Sequence, residues 1–327
     1  MSSQEADVLI VGGGLIGSSI AWRLAQQGRR VTMVDAGNLG GEASTAGAGM
    51  LAPASEAAKQ SPWLELGVRS LRLYPQFLEE LQSETGREVE YRTCGCLYLD
   101  PGDDADRLES LHRSAGMRVQ RKGDALFYPE EGIIDPGALL RSLRQAAEKR
   151  GVQIEHALLS EVRATNYRAV VIAAGAWSGS IPVLDTEGPV PMPKSEPVKG
   201  HLIGFHMRPG LLDSFLRKAR TYVLQRADGL VIAGATEEHV GFDTSVQMAS
   251  CEALHRRAAE VVPELAAAEP VRRWIGFRPG PEQEDGPVLR RVDESNVWLA
   301  YGHYRNGILL TPVTAEIIAT QVAAAVA

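Results

Sequence analysis

The chain lacks most of what would place it outside the ordinary soluble globular proteins. It has only three cysteines in 327 residues. Cys94 and Cys96 sit one residue apart in "YRTCGCLYL", a stretch that reads as one strand with both thiols on one face. No His or further Cys stands close by to complete a zinc site, so reduced structural thiols are the expectation and no metal is. No long Lys/Arg run is present, and the formal charge of -7 gives no footprint for nucleic acid. No apolar run approaches the roughly 18 residues of a membrane span. The apolar segment near the start follows acidic residues rather than a basic leader, and the cytoplasm is the expected compartment. The seven histidines form no recognisable triad or metal set with their neighbours.

What is present begins with "ADVLIVGGGLIGSSIAWRLAQQGRRVTMVDAG". The β-branched run Val8 to Val11 predicts a strand, Gly12, Gly14 and Gly17 with Leu15 and Ile16 between them open a helix, and "RRVTMVDAG" predicts a second strand ending at Asp35. Glycines at that spacing let the backbone approach a pyrophosphate, which the helix N-terminus attracts. Asp35 lies 23 residues after Gly12, where a carboxylate accepts hydrogen bonds from ribose hydroxyls. No Arg follows Asp35 directly, which argues against NADP. The fingerprint itself leaves NAD and FAD both open.

Two further segments bear on that choice. "GNLGGEASTAGAGMLAP", residues 37 to 53, is rich enough in small residues to lie against a flat ligand, with the Ser44 and Thr45 hydroxyls available to phosphate; a flexible surface loop reads the same composition equally well. "RAVVIAAGAWSG" predicts a buried strand, Ala169 to Ala173, running into a small-residue turn at Ala174, Gly175 and Ala176 just before Trp177. A strand returning to the nucleotide-binding sheet after a long insertion suits a discontinuous cofactor domain.

Near the C-terminus, "YGHYRNGILLTP" sets a cation, Arg305, at the seam between the strand-like "NVWLAY" and an apolar helical run. A charge there requires a partner, either a protein carboxylate or a ligand from outside. Arg278 in "RRWIGFRPGPEQEDGPVL" reads as a strand-end residue able to grip a carboxylate bidentately; the competing reading is a structural ion pair with Glu282, Glu284 or Asp285. Tyr222 reads as a strand residue ahead of an "ADG" hairpin turn.

Taken in order, the glycine fingerprint, "STAGAGMLAP", "AVVIAAGAWSG", "WIGFRPG" and "GHYRNGILLTP" resemble the D-amino-acid-oxidase-like FAD enzymes, and most closely their glycine-oxidase branch, over nearly the whole chain. The resemblance implies an α/β fold: a Rossmann-type FAD domain (1–81, 137–181 and 290–327) interleaved with a substrate domain (82–136 and 182–289) on a mixed, largely antiparallel sheet. It implies non-covalent FAD, because the Cys of the covalently flavinylated branch has no counterpart here near "GPEQEDG". By the same resemblance Gly49 and Met50 approach the flavin ring and Leu159 the adenine. Gly302, His303, Asn306 and Gly307, with Ile308 beside them, flank the pyrimidine edge. Arg305, Arg278 and Tyr222 face a substrate carboxylate.

The implied reaction is oxidation of glycine, sarcosine or a small D-amino acid by hydride transfer to flavin N5, O2 then giving hydrogen peroxide and the imine going to hydrolysis or thiazole synthesis. A dehydrogenase passing electrons to a quinone uses the same motifs. A homo-oligomer is expected. Three departures stand out: Asp35 where many relatives carry Glu, Glu42 in the phosphate loop, and only "SEVRATNYR" between Leu159 and Ala169, where relatives carry a longer hairpin.

Overall fold

Residues 7–37, 43–281 and 286–327 are described by the computed structural model. The strand Val8–Val11 pairs in parallel with Val31–Asp35 on one side and Ala169–Ile172 on the other. Val297–Tyr301 adds in parallel to Ala169–Ile172, Gln153–His156 adds in parallel to Val31–Asp35, and Val288–Arg291 closes one edge antiparallel. The central strands, VLIV, AVVI and VWLAY, carry no charged residue and are fully buried, as a parallel sheet covered on both faces demands. On one face the helix Leu15–Gln26 packs against Pro136–Lys149 and Thr311–Ala325. Caught between helices and sheet, Leu15–Gln26 buries Leu15, Ile20, Ala21, Trp22 and Leu24 together rather than along one stripe.

A second sheet of eight strands carries the other half of the structure, in the order 272–281, 195–206, 230–234, 221–225, 215–218, 96–99, 125–128 and 120–122. Every neighbouring pair in it is antiparallel except Phe215–Lys218 with Cys96–Leu99. A small three-stranded sheet of Met50–Leu51, Gly132–Ile134 and Tyr91–Arg92 joins the small-residue segment to this half. The mixed α/β architecture expected from sequence is therefore present, each large sheet being assembled from segments far apart in the chain.

Two local expectations are corrected. "YRTCGCLYL" is not one strand: Gly95 adopts φ +76 between Tyr91–Arg92 and Cys96–Leu99, and a Cβ there would lie 2.5 Å from the Phe127 ring. Cys94 is consequently half-buried and Cys96 fully buried, and burial pushes both thiols up. Arg278 is not at a strand end either, since Arg272–Pro281 runs on past it, paired with Ser195–His206. Its cross-strand partner explains the extension: ten consecutive register pairs leave the Pro and Gly of "RPGP" at one rim of the sheet. Among the described residues no helix is long and apolar enough to cross a membrane.

Candidate active site

Outside the C-terminal ends of the parallel strands, where open α/β sheets bind ligands, lies a cleft of about 570 Å³ that continues over the face of the second sheet. Its floor is set by glycines. Gly12 has φ +108 and a Cβ there would meet the Ala173 carbonyl oxygen at 2.4 Å; a Cβ on Gly17 would meet the Gly12 carbonyl oxygen at 1.8 Å. Gly17 thus does not line the cleft but lets the helix seat against the strand. Gly14, Leu15 and Ile16 line it directly.

The acid ending the second strand is used at once. Asp35 accepts hydrogen bonds from the Gly13 amide at 2.5 Å and the Gly37 amide at 3.0 Å, fixing the carboxylate at the cleft wall. Arg144 donates to the Gly13 carbonyl at 2.9 Å beside it. Ser44 Oγ accepts from the Leu15 amide at 3.0 Å, so this hydroxyl occupies the positive end of the helix. Thr45 is exposed and stands off the lining, and Glu42 lies outside the described residues.

The segment from Ala46 to Met50 then forms a wall. Gly49 has φ +91, and a Cβ on it would sit 1.9 Å from the Ile134 carbonyl oxygen; a Cβ on Gly47 would sit 2.6 Å from Ile308 Cδ1. Arg226, buried at a hairpin tip, donates to the Ala48 carbonyl from behind and steadies this wall, a contact 178 residues distant in sequence that no local signal announces. Opposite run Leu159, Ala174, Gly175 and Trp177, and at the far end His303, Asn306, Gly307 and Ile308. Gly302, with φ +75, is a buried turn residue behind them. His303 is fully buried, bonded through Nε2 to Thr314 Oγ1 at 3.0 Å, and burial pulls its pKa down to about 3, so it stands neutral.

At that far end the cleft changes character. Arg278, Arg305, Tyr222 and Glu56 all face it. The Arg278 guanidinium lies flat over Gly200 of the paired strand, where a Cβ would fall 2.4 Å from Nη2, and Nη1 donates to the Thr236 carbonyl at 3.0 Å. Tyr222 likewise lies over Gly234, its cross-strand partner. Gly234 directly across from Tyr222, and Gly200 two residues along the strand from Val198, the cross-strand partner of Arg278, let each large side chain lie down along the sheet and present its polar end to the cleft. Burial, and then the neighbouring Arg305, pull Arg278 below its ordinary value, though a guanidinium remains charged. Burial raises Tyr222, which keeps its phenolic proton as a donor.

The partner of Arg305 is a protein carboxylate. Its Nε and Nη2 each lie 2.8 Å from Glu56 Oε2, while Glu56 Oε1 is 3.1 Å from Arg217 Nε. Burial pushes Glu56 up, but the charges of Arg305 and Arg217 outweigh it and hold the acid below the usual carboxylate value. Glu56 raises Arg305 in return. Neither Glu56 nor Arg217 was visible as a candidate from sequence; the only hint is a lone acid in the small, apolar run "LAPASEAA". Among the described residues Arg278 has no ion-pair partner, and Glu282, Glu284 and Asp285, the acids named against it, lie outside them. Among the described residues no group of three His, Cys, Asp or Glu is placed to hold a metal.

A nucleotide-wrapping sheet opening into a cationic pocket on a second sheet defines a two-domain, dinucleotide-dependent oxidoreductase. The residues fit FAD: a glycine floor closed to side chains, an acid fixed at the strand end, and a wall of small residues leading to a neutral buried end. The model of the FAD-dependent oxidoreductase family (DAO) matches residues 7–321, and the chain belongs to that family, with FAD as its cofactor. Glycine oxidase of Pseudomonas putida is 32% identical over 348 residues, covering 95% of this chain and 92% of the relative. The bifunctional protein ThiO/ThiG of Synechocystis sp. is 34% identical over 346 residues, 96% of this chain, which spans about half (51%) of that relative's length. The crystal structure of glycine oxidase from Geobacillus kaustophilus superposes with a TM-score of 0.89 at 29% identity, covering 98% of this chain and 95% of the other.

Proposed function

We propose that this enzyme oxidises glycine and related small amino acids, sarcosine and small D-amino acids among them, with dioxygen as the final acceptor and an imine and hydrogen peroxide as products. The observation that carries the reading is the convergence of Arg278, Arg305 and Tyr222 on one end of the cleft that the glycine fingerprint opens. FAD supplies the hydride acceptor at its N5. Gly12, Gly14, Asp35 and Ser44 would hold its nucleotide side with Leu159 near the adenine, Gly49 and Met50 in the 46–50 wall would approach its flavin ring, and His303 with residues 306–308 would flank the pyrimidine edge.

The chain's own residues then act on the amino acid. Arg278, with most of its donors unspent, takes the carboxylate, and Tyr222 adds a phenolic hydrogen bond. Arg305 adds charge from the opposite side while anchored by Glu56. Glu56, held ionised by two guanidiniums, is a poor base but a good acceptor for an amine N–H, so it orients the amine rather than deprotonating it. The substrate's neutral amine comes from solution equilibrium, favoured as pH rises. In this reading the cofactor domain comprises 1–81, 137–181 and 290–327 and the substrate domain the remainder, and the protein assembles as a homo-oligomer. The product imine is suited to hydrolysis or to thiazole synthesis, consistent with a relative whose name joins ThiO to ThiG.

The visible spectrum of the purified protein before and after anaerobic glycine tests this. Bleaching by glycine and not by ethylamine is expected. Equal bleaching by both would show that the arginines do not read a carboxylate. Peroxide formed in step with substrate loss supports dioxygen as acceptor, and turnover seen only with a quinone or dye assigns a dehydrogenase.

A further inference from the structure

Behind the cationic pocket stands a buried acid that contacts neither the cleft nor any cation in an ion pair among the described residues. Glu131 is 0% exposed, in the bend between the strands Ala125–Tyr128 and Gly132–Ile134. Among the described residues all the hydrogen bonds of its side chain go to one short turn: Oε1 accepts from the amides of Ala54 and Ser55, both at 2.8 Å, and Oε2 accepts from Ser55 Oγ at 2.5 Å. Burial pushes Glu131 up to about 7 in spite of those donors. An isolated buried carboxyl is costly, and three bonds to one target identify what the cost maintains.

The turn it grips ends in Glu56. Residues 52–57 belong to no helix or strand, and the one backbone bond that closes the turn, from the Ala57 amide to the Ala54 carbonyl at 2.9 Å, does not tie it to either sheet. Two groups from outside do. Glu131 holds the Ala54 and Ser55 amides, and His112 Nε2 bonds the Ala57 carbonyl at 2.9 Å with its Nδ1 on Tyr128 at 3.0 Å. Between these two clamps Glu56 spans Arg305 and Arg217. Arg217 is itself laid over the Tyr98 ring, 4.5 Å from its centroid, on the strand beside Cys96–Leu99.

We propose that Glu131 is a positioning residue for the substrate pocket: by fixing the Ala54–Ser55 turn it aims Glu56, and through Glu56 it holds Arg305 in the cleft wall. The inference rests on the reading of Arg305 as a carboxylate-facing cation. It predicts that disturbing Glu131 weakens carboxylate binding while leaving the nucleotide floor, built from other segments, intact.

The FAD-loaded enzyme is titrated with acetate, a carboxylate without an amine, and binding is read from the flavin spectrum; FAD content and melting temperature are recorded on the same samples, with KM and kcat for glycine. Glu131→Gln keeps an oxygen for the two amides and an NH2 for Ser55 Oγ, and should bind acetate within about twofold of the parent. Ser55→Ala, a milder change that leaves the two backbone amides on Glu131, should weaken acetate about threefold to tenfold, and Glu131→Leu about tenfold or more, raising KM more than it lowers kcat at full FAD content. Arg305→Ala is the control. Should Arg305→Ala weaken acetate while Ser55→Ala and Glu131→Leu merely lower the melting temperature, the positioning role is overturned and the reading of Arg305 stands. Should Arg305→Ala leave acetate binding unchanged, the reading of Arg305 falls and this inference with it. Where Glu131→Leu fails to fold, the Ser55→Ala result decides alone.

Discussion

Arg278 offers the sharpest perturbation, because the structure separates its charge from its geometry. Its guanidinium has one protein bond, to the Thr236 carbonyl, and no ion-pair partner among the described residues, so replacing it with Ala releases one backbone acceptor and removes a cation from the pocket. A charge-assisted hydrogen bond contributes about 1.5–3 kcal/mol, which corresponds to roughly tenfold to more than hundredfold per bond in kcat/KM. The lost Thr236 bond costs about 1 kcal/mol of stability. Arg278→Ala is therefore expected to cut kcat/KM for glycine at least tenfold, with FAD content unchanged and only a small fall in melting temperature. Arg278→Lys should recover little, since one ammonium cannot offer two parallel donors.

Gly200→Ala tests the geometry without touching the charge. The added methyl would start 2.4 Å from Arg278 Nη2, and the flexible guanidinium must lift by the better part of 1 Å to restore contact distance. KM for glycine should rise while the melting temperature barely moves. The assay is steady-state peroxide release against thermal unfolding on the same preparation. If Arg278→Ala lowers stability and leaves kcat/KM intact, Arg278 is a structural residue and the proposed pocket loses its principal cation.

Other expectations follow from the same geometry. Gly14→Val adds a branched side chain beginning 2.9 Å from Ser44 Oγ at the cleft floor, and the folded protein should purify colourless; normal FAD content would refute the floor assignment. No cysteine lines the cleft, and acid precipitation should carry all yellow colour into the supernatant, colour in the pellet marking a covalent bond. His303, depressed from 6.5 to about 3, contributes stability that is complete above about pH 6.5 and lost as pH falls towards 3. At pH 5 the loss is about 2 kcal/mol, and His303→Gln should narrow the gap between melting temperatures at pH 7 and pH 5. An unchanged gap would mean that His303 is hydrated.

How much of this was legible in the sequence depended on how locally each feature is encoded. The strand, glycine turn, helix and second strand of residues 8–35 are nearest-neighbour structure, so their spacing alone put Asp35 against Gly13. The small-residue stretch was ambiguous for a physical reason: a loop and a ligand wall need the same small side chains. What decides for a wall is the Ile134 carbonyl against Gly49 and Arg226 behind Ala48, both remote in sequence. The "CGC" stretch misled because alternation was carried through Gly95, where a left-handed φ and the Phe127 ring break the strand.

The pocket was half legible, and the missing half concerns charge. Arg278 and Arg305 were visible as cations beside glycines, but nothing local could say that they converge, since convergence is created by the pairing of 195–206 with 272–281 and by the turn after 297–301. Still less could it show that Arg305 is matched by Glu56, 249 residues earlier. That pairing changes the chemistry of the site. Two free guanidiniums would bind any small dianion as readily as an amino acid, and would repel an ammonium. Among the groups that line the cleft, Arg278, Arg305 and Glu56 sum to one net cation, and Glu56 adds an acceptor for an amine, the charge pattern of an α-amino acid, while Arg217 shares the same carboxylate from behind. Glu56→Gln keeps an amide oxygen for Arg305 Nε and Nη2 and removes only the charge, so it discriminates between ligands rather than weakening all of them as a misplaced Glu56 would: acetate should bind as well or better, glycine worse. Equal losses for acetate and glycine would show that Glu56 serves only to hold Arg305 in place.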